Sequence, residues 1–301
     1  KDETIPTSHE RIGHGAVRSA IFSLLLMKDA AEEFERVDNR KDYIVLFEEP
    51  ELFLHPKLMK QLRTLIYKVS ETDTPYQVLC ASHSPQMIDI TKEKSSLVRM
   101  TKHNDGTRLY QINDEFLKDS KEIKTKEELK QEMNEVLRFN PFICESFYAD
   151  EVVLIEGSTE EIILRGYFNE VQMDKDIFVV NCGTVNNIPF FQKIFSRFNI
   201  KYHVICDSDA AVVKELDEYG LIPFESGIQK SIYQQFKFDY EKVDYSVGLF
   251  QVNVPTFEPY HQQDSINENL KYSNSYLATD GKPYNANLYW KEVLQPNLGT
   301  E

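Results

Sequence analysis

Val152-Val153-Leu154-Ile155-Glu156-Gly157-Ser158-Thr159-Glu160-Glu161 decides the reading of this chain, together with Val204-Ile205-Cys206-Asp207-Ser208-Asp209. Each is a short apolar run that stops abruptly on carboxylates. The apolar residues ahead of Glu156 predict a buried strand, and Gly157-Ser158-Thr159 predicts a turn that opens a helix. Glu156 then sits at a strand end, with Glu160 in the first helical turn beside it. Tyr202 to Cys206 brings Asp207 and Asp209 to a second strand end, on one side of an extended chain. Acids gathered at one sheet edge repel one another. Hard divalent cations, which take oxygen ligands, are the usual compensation.

Working outward, strand 152–156 is followed by helix 159–169, strand 177–181, a helix from about 187 to 198, and strand 202–206. This alternation predicts an α/β fold with a parallel sheet covered by helices. Function in such sheets gathers at the carboxyl ends of the strands. Glu156, Asn181-Cys182-Gly183-Thr184 and Asp207 fall there. Glu at one strand end, a glycine loop after the next and Asp-x-Asp after the third resemble the Toprim domain of topoisomerases, primases and certain nucleases. Farther on, Gly248 to Val254 predicts another strand leading to Glu258. A polar helix is expected near 263–271, then Asp280-Gly281-Lys282-Pro283, and a last helix from about Tyr284 to Leu294 holds Trp290.

Upstream, Gly13 and Gly15 precede the helical pattern Ala20, Ile21, Leu24, Leu25. Glycines ahead of a helix N-terminus suit phosphate binding, though such a pair alone is more often a turn. Tyr43 to Phe47 predicts a buried strand ending on Glu48-Glu49-Pro50-Glu51, and a helix follows with Leu58, Met59, Leu62, Leu65, Ile66 and Val69 on one face. Tyr76 to Ala81 predicts a strand ending on Ser82-His83-Ser84, and residues 97–112 a hairpin around His103-Asn104-Asp105-Gly106. The run from Tyr43 to Pro56 resembles the Walker B and D-loop region of ABC-type ATPases. Ser82-His83-Ser84 resembles their switch histidine, and the glycine-containing opening a degenerate signature. That resemblance implies Glu48 at the magnesium-associated position, Glu49 as general base, His83 as γ-phosphate sensor, and Gly13 and Gly15 on the nucleotide. No Gly-x-x-x-x-Gly-Lys-Ser/Thr loop occurs in the sequence. The expectation is therefore a chain that starts inside the ATPase domain and hydrolyses ATP only with the lobe that carries the phosphate loop.

The expected organisation is a C-terminal part of an ABC-type ATPase domain over 1–113, a Lys/Glu-rich helical linker over 114–149, and a Toprim domain with a C-terminal extension over 150–301. This order, with its Gly-Lys-Pro loop, resembles the OLD (overcoming lysogenization defect) family of ATP-dependent nucleases, including Gabija-type defence nucleases. The resemblance implies DNA endonuclease activity regulated by the ATPase and by ATP, and a role in anti-phage defence. It also implies a homo-oligomer formed through the ATPase domain, a defence partner protein, and a pair of Mg2+ or Mn2+ ions. Carried over, Glu156, Glu160, Asp207 and Asp209 become metal-binding acids, Lys282 the transition-state lysine, and Glu258 an additional acid. Glu161 is read as a solvated neighbour. Two such ions, roughly 3.5–4 Å apart, stabilise attacking and leaving oxygens of a phosphodiester, and a lysine adds positive charge where negative charge develops.

Bulk properties limit the alternatives. The 301 residues are 41% hydrophobic and 12% aromatic, enough for two ordinary domains. A net charge of −15 argues against nucleic-acid binding over the whole surface, but not against a local groove or a metal-bridged phosphate contact. No apolar run approaches a membrane span and the first residues carry no signal-peptide pattern. The four cysteines, Cys80, Cys144, Cys182 and Cys206, lack metal spacing and are expected as buried thiols in a reducing cytoplasm. A topoisomerase or primase shares the Toprim core, but the chain has no recognisable DNA-gate domain and no Cys/His zinc motif. A non-catalytic, ATPase-driven assembly module is the remaining alternative, and the intact acids argue against it.

Overall fold

In the first unit, Tyr43–Glu48 (β1) and Tyr76–Ala81 (β2), short runs rich in aromatic and aliphatic residues, pair as two parallel strands. The computed structural model describes residues 43–71, 76–89, 97–111, 141–171, 173–208, 227–242, 247–253, 286–287 and 289–298. The helix between the strands, Pro56–Glu71 (α1), opens on a proline whose missing N–H costs nothing at a first turn. Its apolar face places Leu62, Ile66 and Val69 on Val45, Phe47 and Val78, with Met87 closing the cluster. On the other face of the strand pair, Ile44, Leu46 and Leu79 are exposed.

By contact, the chain divides into two compact units, residues 1–97 with 113–144 and residues 98–112 with 145–301. The hairpin Val98–His103 (β3) and Gly106–Gln111 (β4) thus groups with the second unit. The guanidinium of Arg99 donates to the carbonyls of Phe147, Phe198 and Asn199 at 3.2, 3.0 and 3.1 Å. Arg197 Nε donates to the Gln111 carbonyl and Asn199 to the Tyr110 hydroxyl.

The centre of the second unit is Glu151–Ile155 (β5), buried at every position. Ser158–Glu170 (α2), Ile177–Asn181 (β6), Ile188–Arg197 (α3), Lys201–Asp207 (β7), Gly227–Tyr240 (α4) and Phe250–Asn253 (β8) follow. The four strands lie in the order β6-β5-β7-β8 with all neighbours parallel. Val153 and Ile155 pack with Val179 and Ile205 under Leu164 and Phe168 of α2. The alternate residues Val152 and Leu154 point to the opposite face, where α3 lies.

That second face is aromatic. Phe191, Phe195 and Phe198 are fully buried, each contributing about 2–3 kcal/mol. Phe147 meets Phe198 edge-on with ring centroids 5.3 Å apart, and Phe236 of α4 meets Phe250 at 5.1 Å. A buried carboxylate, Asp239, sits among them and is satisfied by Ser196 Oγ, Tyr202 Oη, Gln235 Nε2 and Lys242 Nζ at 2.7–3.0 Å.

The strands and helices expected between residues 152 and 206, and the strand expected over 248–254, form within about two residues of their expected limits. Part of the expected last helix winds as a π-helix over Trp290–Leu294. Helix α4 was not anticipated, because its polar residues Gln229, Lys230, Gln234, Gln235 and Lys237 dilute the Ile232, Tyr233, Phe236 stripe. Cys144, Cys182 and Cys206 are buried as expected, whereas Cys80 is exposed. Among the described residues, no helix is long and apolar enough to cross a membrane. Residues 114–140 of the expected linker, the polar helix near 263–271 and the glycine-containing opening lie outside the described residues. The end of that linker forms a short 3-10 helix, Pro141–Phe147, and residues from Glu145 on group with the second unit.

Candidate active site

Parallel pairing of β5 with β7 brings the residues that follow the two strands to one sheet edge. The backbone N–H of Asp207 donates to Glu156 Oε1 at 2.7 Å. Asp207 Oδ1 accepts from Asn253 Nδ2 at 3.0 Å, and its carbonyl from Gln229 Nε2 at 3.5 Å. The sequence therefore singled out two acids that the fold does bring together.

Glu160 is 6% exposed in the first turn of α2. Its carboxylate folds back over the preceding turn, since a Cβ on Gly157 would come 3.3 Å from Glu160 Oε2. Glu161 is not a freely solvated neighbour. It pairs with Arg165 at 3.0 Å and accepts from Asn181 Nδ2 at 2.7 Å. Asn181 Oδ1 in turn accepts from the Gly183 N–H, so one side chain joins α2 to the loop after β6. Gly183 has φ +77, a left-handed turn for which glycine is suited. Cys182, fully buried behind this loop, has its thiol pushed well up by burial, with the Glu156 carboxylate adding to the effect, which makes it an inert packing group.

The sequence reading missed Asn181, Gln229 and Asn253. Polar residues at strand ends and in an unrecognised helix carry no periodic signal, and only register reveals what they meet. It also missed Glu151 at the opposite, amino-terminal edge. There Lys175, Lys201 and His203 converge on one carboxylate that is 6% exposed. Burial alone would raise the Glu151 pKa, but hydrogen bonds from these three residues hold it at about 2. His203 Nδ1 accepts from the Leu249 N–H at 2.9 Å, so its Nε2 carries the proton donated to Glu151.

In the first unit, Glu48 is exposed at the end of β1. Glu49 follows with φ +45, its N–H bonded to the Ala81 carbonyl across the strand pair. His83 Nε2 lies 3.3 Å from Glu49 Oε1, and the His83 N–H reaches Glu49 Oε2 at 3.4 Å. Desolvation raises the Glu49 pKa and the neighbouring Glu51 raises it further, against a smaller lowering by His83. Glu51 Oε1 accepts from Ser82 Oγ, and Ser82 Oγ accepts from the Ser84 N–H. The two predicted motifs of this unit therefore meet residue to residue.

Gly13, Gly15, Asp209, Glu258 and Lys282 lie outside the described residues. Among the described residues, no three His, Cys, Asp or Glu side chains gather closely enough to hold a metal ion. Glu156 and Asp207 nevertheless offer only oxygen donors at adjoining strand ends. That donor chemistry fits a hard divalent cation.

Comparison with known proteins agrees with this architecture. Residues 147–209 match the family model "Overcoming lysogenization defect protein-like, TOPRIM domain", and residues 2–88 match an AAA ATPase domain. The Old nuclease of Escherichia phage P2 is 24% identical over 216 residues, 69% of this chain and 35% of that protein. The OLD nuclease of Thermus scotoductus is 25% identical over 175 residues, 57% of this chain and 32% of that protein. Endonuclease GajA of Bacillus cereus is 21% identical over 301 residues, 94% of this chain and 40% of that protein. The chain spans about a third to two fifths of the length of these relatives. The chain thus carries an AAA-type ATPase segment followed by an OLD-like Toprim domain, and it is similar across both to proteins named as OLD-type nucleases.

Proposed function

We propose that this chain carries the cleavage centre of a metal-dependent DNA endonuclease regulated by its ATPase domain. The observation that supports the reading best is the meeting of Glu156 and Asp207 at adjoining strand ends, fixed by a 2.7 Å backbone bond. In this reading residues 1–113 belong to the ATPase domain, 114–149 form the linker and 150–301 the nuclease domain. Glu156, Glu160 and Asp207, with Asp209 and Glu258, hold Mg2+ or Mn2+, and Lys282 faces the scissile phosphate. When bound, the cations stabilise the attacking and leaving oxygens. The chain's own part is to hold carboxylates at fixed strand ends of a sheet whose central strand β5 is buried at every position, so that little reorganisation is needed when charge develops.

On the ATPase side, Glu49 acts as base for the attacking water, its raised pKa bringing it closer to the working pH. His83 contacts the terminal phosphate, Glu48 the associated magnesium, and Gly13 and Gly15 the nucleotide. The assembly is a cytoplasmic homo-oligomer built through the ATPase domain and serves in anti-phage defence with a partner protein.

The test is incubation of supercoiled and linear DNA with the protein and Mg2+ or Mn2+. Nicked or linear product is expected, with cleavage slowed by at least ~100-fold in Asp207→Ala and abolished by chelator. Cleavage that survives Asp207→Ala or chelator overturns the assignment. Topoisomer ladders would make the protein a topoisomerase instead.

A further inference from the structure

We infer that Asn253 is a positioning residue that aims the carboxylate of Asp207 at a divalent cation; this rests on the metal-nuclease reading. Asn253 is the last residue of β8 and lies in register with Asp207 on β7. Neighbouring in-register residues of a sheet project to the same face, so its amide meets the acid directly, Nδ2 to Oδ1 at 3.0 Å. Asn253 is itself 1% exposed, and its carbonyl accepts from the Ser208 N–H at 2.9 Å. A carboxylate turns easily about its last torsion. A donor fixed on one oxygen removes that freedom and decides where the lone pairs of the group point.

The choice of an amide has a physical reason. A lysine or arginine at this position would also hold Asp207, but its charge would repel the cation the acid is meant to bind. The amide donates without charge. Hydrogen-bond partners behind a metal ligand commonly set affinity as strongly as the ligand's own identity, by about 10–100-fold. Glu156 and Gln229 bond the backbone of Asp207, whereas Asn253 bonds its carboxylate.

Mn2+ binding by the intact protein without nucleotide, followed by electron paramagnetic resonance titration, tests this directly. Asn253→Leu keeps the size and the backbone bond to Ser208 but removes the donor, and is expected to weaken Mn2+ binding by ~10-fold or more. The Mn2+ concentration that half-saturates DNA cleavage should rise in parallel. Asn253→Ala carries the same expectation should the leucine variant not fold. Val252→Ala, a buried residue on the opposite face of β8, controls for lost stability and should leave Mn2+ binding unchanged while lowering Tm. Binding within twofold of the native protein in the Asn253 variants, or an equal loss in Val252→Ala, overturns the inference. Asp207→Ala separates the two levels: if it binds Mn2+ as the native protein does, the metal-site reading itself fails.

Discussion

At the scale of single residues, Glu151 and Asp207 show two uses of a carboxylate at opposite edges of one sheet. Glu151 is a stability device. Its folded pKa of about 2 lies below the ordinary value of 4.5. The sign follows from that direction: its contribution is fully present above about pH 4.5 and is lost as pH falls toward 2. Glu151→Gln should therefore lower stability at pH 7 by on the order of 2–3 kcal/mol, discounted for the exposure of Lys175 and Lys201. Urea unfolding at several pH values should show the difference between the two proteins shrinking to nothing near pH 2. A difference that persists there would mean that the amide fails by packing and not by charge. Asp207, by contrast, is legible from sequence as an acid after an apolar strand. Its amide partner Asn253 is not legible, because nothing in Phe250-Gln251-Val252-Asn253 says which strand lies alongside.

At the scale of elements, the α2 helix shows how a close approach is built in. A Cβ on Gly166 would come 2.5 Å from Trp290, inside any real contact distance. The glycine lets the indole lie against the helix, in a cluster with Ile163, Ala286 and Tyr289. Gly166→Ala should destabilise by about 1–3 kcal/mol, because overpacking outweighs the better helix propensity of alanine. Trp290 is the only tryptophan in the sequence, so its emission should shift to the red as the ring is displaced. An unchanged emission maximum with raised Tm would show that the ring moves aside at no cost. Gly248 is the same case beside His203, where a Cβ would come 2.3 Å from the ring. Gly248→Ala should free the Leu249 N–H and loosen Glu151 with it, lowering Tm by more than Glu151→Gln does at pH 3. Strands β5, β6 and β7 and helices α2 and α3 were legible because their apolar periods are clean. Helix α4 was not, because its buried stripe is narrow and Asp239 within it is buried only with the help of Ser196 and Tyr202, partners distant in sequence.

At the scale of the whole molecule, the hairpin β3–β4 follows the ATPase motifs in sequence but packs with the Toprim sheet. Arg99 accounts for this, since its planar fork reaches three carbonyls that end elements far away in the chain. Arg99→Lys should not restore the contact, because an ammonium cannot span the same three acceptors. Hydrogen exchange of residues 98–111 should then be faster by about tenfold or more, corresponding to a loss of ~1–3 kcal/mol. Unchanged protection would assign the docking to Arg197 and Tyr110 instead. The sequence by itself determined the alternation of strand and helix, the parallel sheet and the acids at its carboxyl edge. Those features are local, each written in a run of a few residues by hydrophobic period and chain direction. Tertiary structure alone decided that Glu156 meets Asp207, that Glu49 meets His83, that Asn253 holds the acid and that the hairpin sides with the second unit. These pairings depend on strand order and register, which are set by the packing of whole faces and by hydrogen bonds between residues up to a hundred positions apart.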